Sequence, residues 1–172
     1  MAPPRRLAPD ELIAELVGQD VEFVVIGAVA AIAQGYPLNT QDLDITPSRD
    51  PRNIERLATA LKRLEARLRV SGEPDGVAFP IEAEFLGKVD SWTLSTPRGD
   101  IDLLFVPAGT TGYEDVKRSA LRMRLWGHEV LVAHLTDIIR MKEASTRPKD
   151  LAQLPALRQT LEIVRERERR QS

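Results

Sequence analysis

The first half of the chain carries hydrophobic patterns that switch between helical and strand periodicity. Residues 9–18 place apolar side chains on one side of a helix, and residues 22–26 form a β-branched run typical of a buried strand. The alanine-rich stretch 28–34 predicts a second helix, and the alternation over 42–46 predicts a strand with one polar face. Apolar residues at helical spacing then predict a long helix over 51–70.

The second half predicts two hairpins followed by helices. Glycine and proline indicate a loop over 72–76. Runs of alternating residues around short turns predict β-hairpins over 92–106 and 122–133, with a short helix between them. Thr136 is expected to cap a helix that runs through residue 143, and Pro148 is expected to begin a final helix.

These elements predict an α/β (α+β) fold with a mixed β-sheet flanked by helices and a helical C-terminal segment. A chain of 172 residues suits one domain. Within that domain we expect a core over residues 1–134 and C-terminal helices over residues 135–172 that pack on it.

Composition narrows the possible functions. The chain has no cysteine, which excludes a disulfide scaffold, a thiolate metal site and a cysteine nucleophile. The net charge of −2 excludes a protein that is basic overall but allows a local basic face. The longest apolar run, residues 23–33, is too short to span a membrane as a helix, and residues 1–6 have no apolar signal-peptide segment behind them. We therefore expect a soluble, cytoplasmic protein without a membrane partner.

A tight turn between the first predicted strand and the next helix has the sequence Ile26-Gly27-Ala28. The backbone N–H groups at the start of a helix are free and lie at the positive end of the helix dipole, which suits a phosphate group. Glycine at such a turn more often serves the backbone geometry alone, so both interpretations stay open.

Two segments carry aspartates in strand-like surroundings. Alternation places Asp42 and Asp44 on one face of a strand, about 6–7 Å apart, where a divalent cation would relieve their repulsion. Asp102 begins an apolar strand, a costly place for an unpaired charge, while Asp100 at the turn is expected to cap it or stay solvated. Should the two strands be neighbours, three carboxylates would meet, as a two-metal site requires. The alternative is a pair of solvated aspartates.

These motifs resemble a known superfamily. The turn at Gly27, followed by Asp42 and Asp44 and later by Asp102, is similar to the signature of polymerase β-like nucleotidyltransferases. The segments 135–142 and 147–151 resemble the AbiEii-like branch, which includes the toxins of bacterial toxin–antitoxin pairs.

This resemblance implies a nucleoside triphosphate donor such as ATP, a two-ion Mg²⁺ site, and transfer of a nucleoside monophosphate to a hydroxyl acceptor with release of pyrophosphate. Residues 1–134 would form the catalytic core. Asp42, Asp44 and Asp102 would be catalytic residues that hold the metal, and Asp102 would also help to deprotonate the acceptor. The implied nucleotide-binding residues are Gly27, Ala28, Lys142, Lys149 and Asp150.

The partners of the chain are open to several interpretations. Arg52, Arg56, Arg63 and Arg67 fall on one side of the predicted helix 51–70 and would suit an RNA backbone, such as that of a tRNA, or form a solvated basic face. The toxin resemblance adds a cognate antitoxin as a partner. The alternatives are a small-molecule, antibiotic-type nucleotidyltransferase and a degenerate domain that only binds a nucleotide or a partner, because Ala28 stands where the family often has glycine or serine.

Overall fold

The computed structural model describes residues 7–172, so the expectation for residues 1–6 lies outside the described residues. The helices that it describes are α1 (Pro9–Gly18), α2 (Gly27–Ala33), α3 (Pro51–Arg63), α4 (Ala83–Leu86), α5 (Tyr113–Lys117), α6 (Leu135–Ser145) and α7 (Pro148–Gln171). The strands are β1 (Phe23–Ile26), β2 (Asp42–Pro47), β3 (Arg67–Val70), β4 (Glu73–Val77), β5 (Ser91–Thr96), β6 (Gly99–Leu104), β7 (Leu121–Leu125) and β8 (His128–Val132).

All of these strands belong to one mixed sheet, which confirms the predicted fold class. The order across the sheet is β4-β3-β5-β6-β2-β1-β8-β7. β2 pairs in parallel with β6, and β1 pairs in parallel with β8, while the other neighbours are antiparallel. The C-terminal helices pack on each other, and α6 also contacts α2. Within residues 7–172, no helix combines the length and the apolar character that crossing a membrane requires.

The two faces of the central strands have opposite character. Leu94, Ile101 and Leu43 lie side by side on β5, β6 and β2, and all three are fully buried in the main core. Side chains alternate along a strand, so the next residues on β2 and β6 point to the other face. Asp44 and Asp102 occupy those positions and are Cα partners across the sheet. One face of the sheet therefore builds the core, and the other presents carboxylates.

The prediction of one helix over residues 51–70 is correct for its first part and wrong for its second part. α3 ends at Arg63, and Glu65 has a left-handed backbone with φ of 54°. The chain then enters β3, where Leu68 pairs with Leu94 of β5. Leu68 keeps helical spacing with the leucines of α3, but pairing with a distant strand satisfies its backbone instead. Local periodicity could not reveal that partner.

The loop predicted over 72–76 is mostly a strand, β4. Pro74 is tolerated there because β4 lies at the edge of the sheet, where a missing backbone donor costs little. Gly76 has φ of 67°, and a Cβ atom at that position would lie 2.6 Å from the carbonyl oxygen of Leu68. The glycine thus allows a close approach of β4 to β3 rather than ending the strand.

The other predicted elements lie near their expected places. The two hairpins correspond to β5–β6 and β7–β8, and the final helix begins at Pro148 as predicted. The cap of α6 differs from the prediction: the ring of His134, not the side chain of Thr136, accepts a hydrogen bond from the backbone N–H of Thr136 at 3.2 Å.

Candidate active site

The turn that joins β1 to α2 lies directly against a carboxylate. Gly27 has φ of 66°, a left-handed conformation that favours glycine. A Cβ atom on Gly27 would overlap the Asp44 side chain, lying 3.0 Å from its Cγ atom. Antiparallel pairing of β1 with β2 causes this approach, because Ile26 and Asp44 are Cα partners. Glycine is therefore needed at this position for two independent reasons.

Three aspartates from two strands form what we call the acid cluster: Asp42, Asp44 and Asp102. Parallel pairing of β2 with β6 sets Asp44 beside Asp102 and Asp42 beside Asp100. One carboxylate oxygen from each member of the acid cluster lies within 4.8 Å of the others. The structure therefore brings together the residues that the sequence singled out as metal ligands. Carboxylate oxygens at this spacing are the donors that hard divalent cations prefer.

Two members of the acid cluster, Asp44 and Asp102, have raised pKa values. Burial, together with the charges of Asp42 and Asp102, raises the pKa of Asp44 to about 7, although Lys142 and Arg69 oppose the shift. Burial also raises the pKa of Asp102 to about 6, against the lowering effect of Arg69. Protonation or a bound cation would relieve this repulsion.

Arg69 of β3 contacts the acid cluster from one side. Its Nη1 atom donates a hydrogen bond to Asp100 Oδ2 at 2.7 Å, and its Nη2 atom donates to Asp102 Oδ1. Asp100 was expected to cap the turn or to be solvated, but it lies on β6 as the second partner of Arg69. The sequence pattern does not reveal this pairing, because it predicts a helix through Arg69, which lies on β3 instead.

Basic side chains from the C-terminal helices form the opposite wall of the site. Asp150, which is 5% exposed, accepts hydrogen bonds from Lys142 Nζ at 2.9 Å, Ser145 Oγ at 2.7 Å and Arg147 Nε at 2.8 Å. Burial alone would raise the pKa of Asp150, but the hydrogen bonds from Ser145 and Lys142 lower it to about 2. Asp150 therefore holds Lys142 and Arg147 in place rather than offering a free carboxylate.

A cleft of about 570 Å³ separates the two walls. It is lined by every residue that the sequence analysis placed in the site, namely Gly27, Ala28, Asp42, Asp44, Asp102, Lys142, Lys149 and Asp150. It is also lined by residues that were not assigned to the site, among them Arg69, Asp100 and Arg147. The Arg147-Pro148 dipeptide, which begins α7 beside Asp150, was the available signal for Arg147.

The arginines predicted as one stripe do not form one. Arg52, Arg56 and Arg63 lie on α3, but Arg67 lies on β3, where its guanidinium donates to the carbonyl oxygen of Gly76. Two of the arginines on α3 have acidic partners. Arg63 Nε donates a hydrogen bond to Glu15 Oε1 at 2.6 Å, and Arg56 Nη2 lies 3.8 Å from Glu22 Oε2. None of the four arginines is among the residues that line the cleft.

The overall fold is that of solved nucleotidyltransferases. The structure is similar to that of the lincosamide antibiotic adenylyltransferase LnuA with lincomycin bound, with a TM-score of 0.58 and 9% sequence identity over 90% of this chain and 98% of that chain. It is also similar to ANT(2'')-Ia in complex with adenylyl-2''-tobramycin, with a TM-score of 0.55 and 16% identity over 93% of this chain and 94% of that chain. The solution structure of the antibiotic-resistance factor ANT(2'')-Ia gives a TM-score of 0.52 and 15% identity over 95% and 92% of the two chains.

At these identities the likeness establishes the fold alone. No family model matches the sequence, and no curated protein matches it either.

Proposed function

We propose that this protein is a nucleotidyltransferase that moves a nucleoside monophosphate from a nucleoside triphosphate to a hydroxyl acceptor. The observation that carries the proposal is the acid cluster facing Lys142 and Arg147 across one cleft. Nucleotidyl transfer requires this polarity, since cations must be held beside the reacting phosphate while basic groups bind the phosphates that leave. The fold is consistent with this chemistry.

The acid cluster fits a divalent cation. Asp42, Asp44 and Asp102 supply only hard oxygen donors and lie close together, and burial, with repulsion from neighbouring carboxylates, raises the pKa of Asp44 to about 7 and that of Asp102 to about 6. These three residues would hold Mg²⁺, in a two-ion site by the family resemblance. When bound, the metal would neutralise charge that develops on the phosphate during transfer.

Other residues of the cleft bind the triphosphate, and one member of the acid cluster accepts a proton. Lys142 and Arg147, oriented by Asp150, donate to oxygens of the triphosphate, with Lys149 beside them. Gly27 and Ala28 contribute backbone N–H groups, since neither has a polar side chain. Asp102 accepts the proton of the acceptor hydroxyl.

The transfer is a single displacement at the α-phosphorus. The acceptor oxygen forms the new bond to phosphorus, the bond from phosphorus to the bridging oxygen breaks, and pyrophosphate leaves with that electron pair.

Two classes of acceptor have separate support. A small molecule with a hydroxyl group is favoured by the fold neighbours, one solved with lincomycin and another with an adenylylated tobramycin. An RNA acceptor such as a tRNA, in a toxin with a cognate antitoxin, rests on the sequence resemblance of the C-terminal segments. The division of the arginine stripe between α3 and β3 weakens the surface that RNA binding would use.

The direct test is transfer of a radioactive label. The purified protein is incubated with Mg²⁺ and each α-labelled nucleoside triphosphate, with total RNA in one arm and a panel of aminoglycosides and lincosamides in another. We expect labelled product from the wild type and from Glu55→Ala, an exposed carboxylate on α3, and none from Asp44→Ala. Failure of every triphosphate and acceptor would contradict the enzyme proposal. Triphosphate binding without turnover would favour the degenerate-domain alternative.

A further inference from the structure

The guanidinium group of Arg69 lies against the acid cluster, where it contacts Asp102. Among residues 7–172, Arg69 is the basic residue whose side chain contacts a member of the acid cluster. Lys142, the other cation close to the cluster, pairs with Asp150 instead. The side chain of Arg69 is 31% exposed, so it is partly withdrawn from solvent.

Strand register explains why Arg69 reaches this position. Leu68 on β3 pairs with Leu94 on β5, and Leu94 pairs with Ile101 on β6, so these three residues form one row on the core face. Arg69 follows Leu68 and therefore faces the opposite side, level with Asp102. β3 lies two strands from β6, about 10 Å across the sheet, a span that the long arginine side chain helps to bridge.

Arg69 is fixed by contacts at both ends of its guanidinium group. Asp100 accepts from Nη1, and Asp102 accepts from Nη2, through its Oδ1 atom. A planar guanidinium held at two points has little freedom, so it can determine where a carboxylate lies. One carboxylate oxygen of Asp102 also lies within 4.8 Å of oxygens of Asp42 and Asp44, so the residue that Arg69 holds belongs to the acid cluster.

We propose that Arg69 is a positioning residue, anchored by Asp100, that holds Asp102 by one oxygen and supplies the positive charge that keeps the acid cluster together until a divalent cation binds. This inference rests on the proposed metal site. Without a counter-ion, three partly buried carboxylates within a few ångströms would repel one another, and β6 and β2 would bear the strain.

Thermal unfolding with and without a cation separates this role from a merely structural one. Arg69→Gln and the wild type are melted in EDTA and in saturating Mn²⁺. We expect Arg69→Gln to lose stability in EDTA and to regain most of it in Mn²⁺, so that its Mn²⁺-induced rise in Tm is about twice that of the wild type. A structural ion pair would lower both melting temperatures equally, and equal rises would overturn the proposal.

Arg67→Gln is the matched control. Arg67 lies two residues earlier on the same strand and the same face, but its guanidinium binds the carbonyl oxygen of Gly76 and no member of the acid cluster. Its Mn²⁺-induced rise should equal that of the wild type. Arg69→Lys keeps the charge but cannot contact both aspartates in the same way, and its rise should lie between those of the wild type and Arg69→Gln.

A double variant covers the case in which Arg69→Gln does not fold. Asp102→Asn removes one of the two carboxylate charges that Arg69 contacts, the one that belongs to the acid cluster. Arg69→Gln combined with Asp102→Asn should therefore melt closer to the wild type in EDTA than Arg69→Gln alone. A double variant no more stable than the single one would overturn the counter-ion role. This comparison needs no metal, so it stands even if the wild type shows no response to Mn²⁺, a result that would count against the proposed function instead.

Discussion

The two walls of the cleft shift the pKa values of their buried aspartates in opposite directions. On the wall made by α6 and α7, Asp150 is surrounded by three donors, and its pKa falls to about 2. On the wall made by β2 and β6, Asp44 is buried near two other carboxylates, and burial together with their charges raises its pKa to about 7. Asp150 is therefore a residue that organises its neighbours, whereas the raised pKa values of Asp44 and Asp102 are those that the proposed metal site would show without its cation. The following experiments test that difference.

The largest effect is expected from Asp44→Asn, which keeps the shape of the side chain but removes its charge. Nucleotidyl transfer should fall by at least about a thousandfold, because one ligand of the proposed metal site is lost. The metal-free protein should become more stable at pH 8, since repulsion within the acid cluster decreases. Label transfer and thermal melting in EDTA measure the two effects. A variant that is both inactive and less stable would contradict the idea of an unsatisfied cluster.

Asp150→Ala should have the opposite effect on stability. Its removal leaves Lys142, whose side chain is 18% exposed, without its partner, and we expect a loss of about 3 kcal/mol in the free energy of unfolding. Urea denaturation measures this loss. Asp10→Ala is the control, because Asp10 is also an aspartate in the first turn of a helix but is exposed. A cost for Asp150→Ala as small as that of the control would show that the three hydrogen bonds contribute little.

Gly27→Ala tests the close approach of the turn after β1 to the side chain of Asp44. We expect a cost of about 2 kcal/mol from the left-handed backbone and from the overlap with Asp44, together with a weaker response of Tm to Mn²⁺. Gly35→Ala is the matched control, since Gly35 has φ of 104° but no atom within 4 Å of its added Cβ. Equal costs at the two positions would mean that only backbone strain matters at Gly27.

The response to Mn²⁺ should grow with pH. The pKa values of Asp44 and Asp102 are raised from 3.8 to about 7 and about 6, so the stability that their protonation contributes is present below about pH 4 and is lost as the pH rises through those values. The Mn²⁺-induced rise in Tm should therefore increase between pH 5 and about pH 8, because protons compete with the cation. A rise that is constant over this range would contradict the raised pKa values. Asp150 does not affect this comparison. Its pKa is lowered from 3.8 to about 2, so the stability that its ionised form contributes is lost only as the pH falls below about 4.

The smallest effect is expected at the arginines of α3. Arg63→Gln breaks an exposed pair with Glu15, which should change the free energy of unfolding by less than about 1 kcal/mol. If the acceptor is a small molecule, label transfer should be unchanged. Reduced transfer to RNA, with transfer to a small acceptor intact, would instead support an RNA surface on α3.

The pattern of polar and apolar residues over short stretches of the sequence is enough to predict much of the fold. Alternation placed Asp42 and Asp44 on one strand face, and the glycine turn after β1 was located without any tertiary contact. The hairpins were found because each is closed by a turn whose residues are near one another in the chain. These features depend on neighbours in sequence, which a hydrophobic pattern reports directly.

The residue types of the site, and the alternation that points its carboxylates to one side, can be read from the sequence. The parallel pairing of β2 with β6, which sets Asp44 beside Asp102, is visible only in the folded structure. The same is true of the end of α3 at Arg63 and the formation of β3 after it. The contacts of Arg69 with Asp100 and Asp102 depend on the formation of β3. Local periodicity tells which face of a strand each side chain takes, but the choice of partner strand depends on packing between segments that are far apart in the chain.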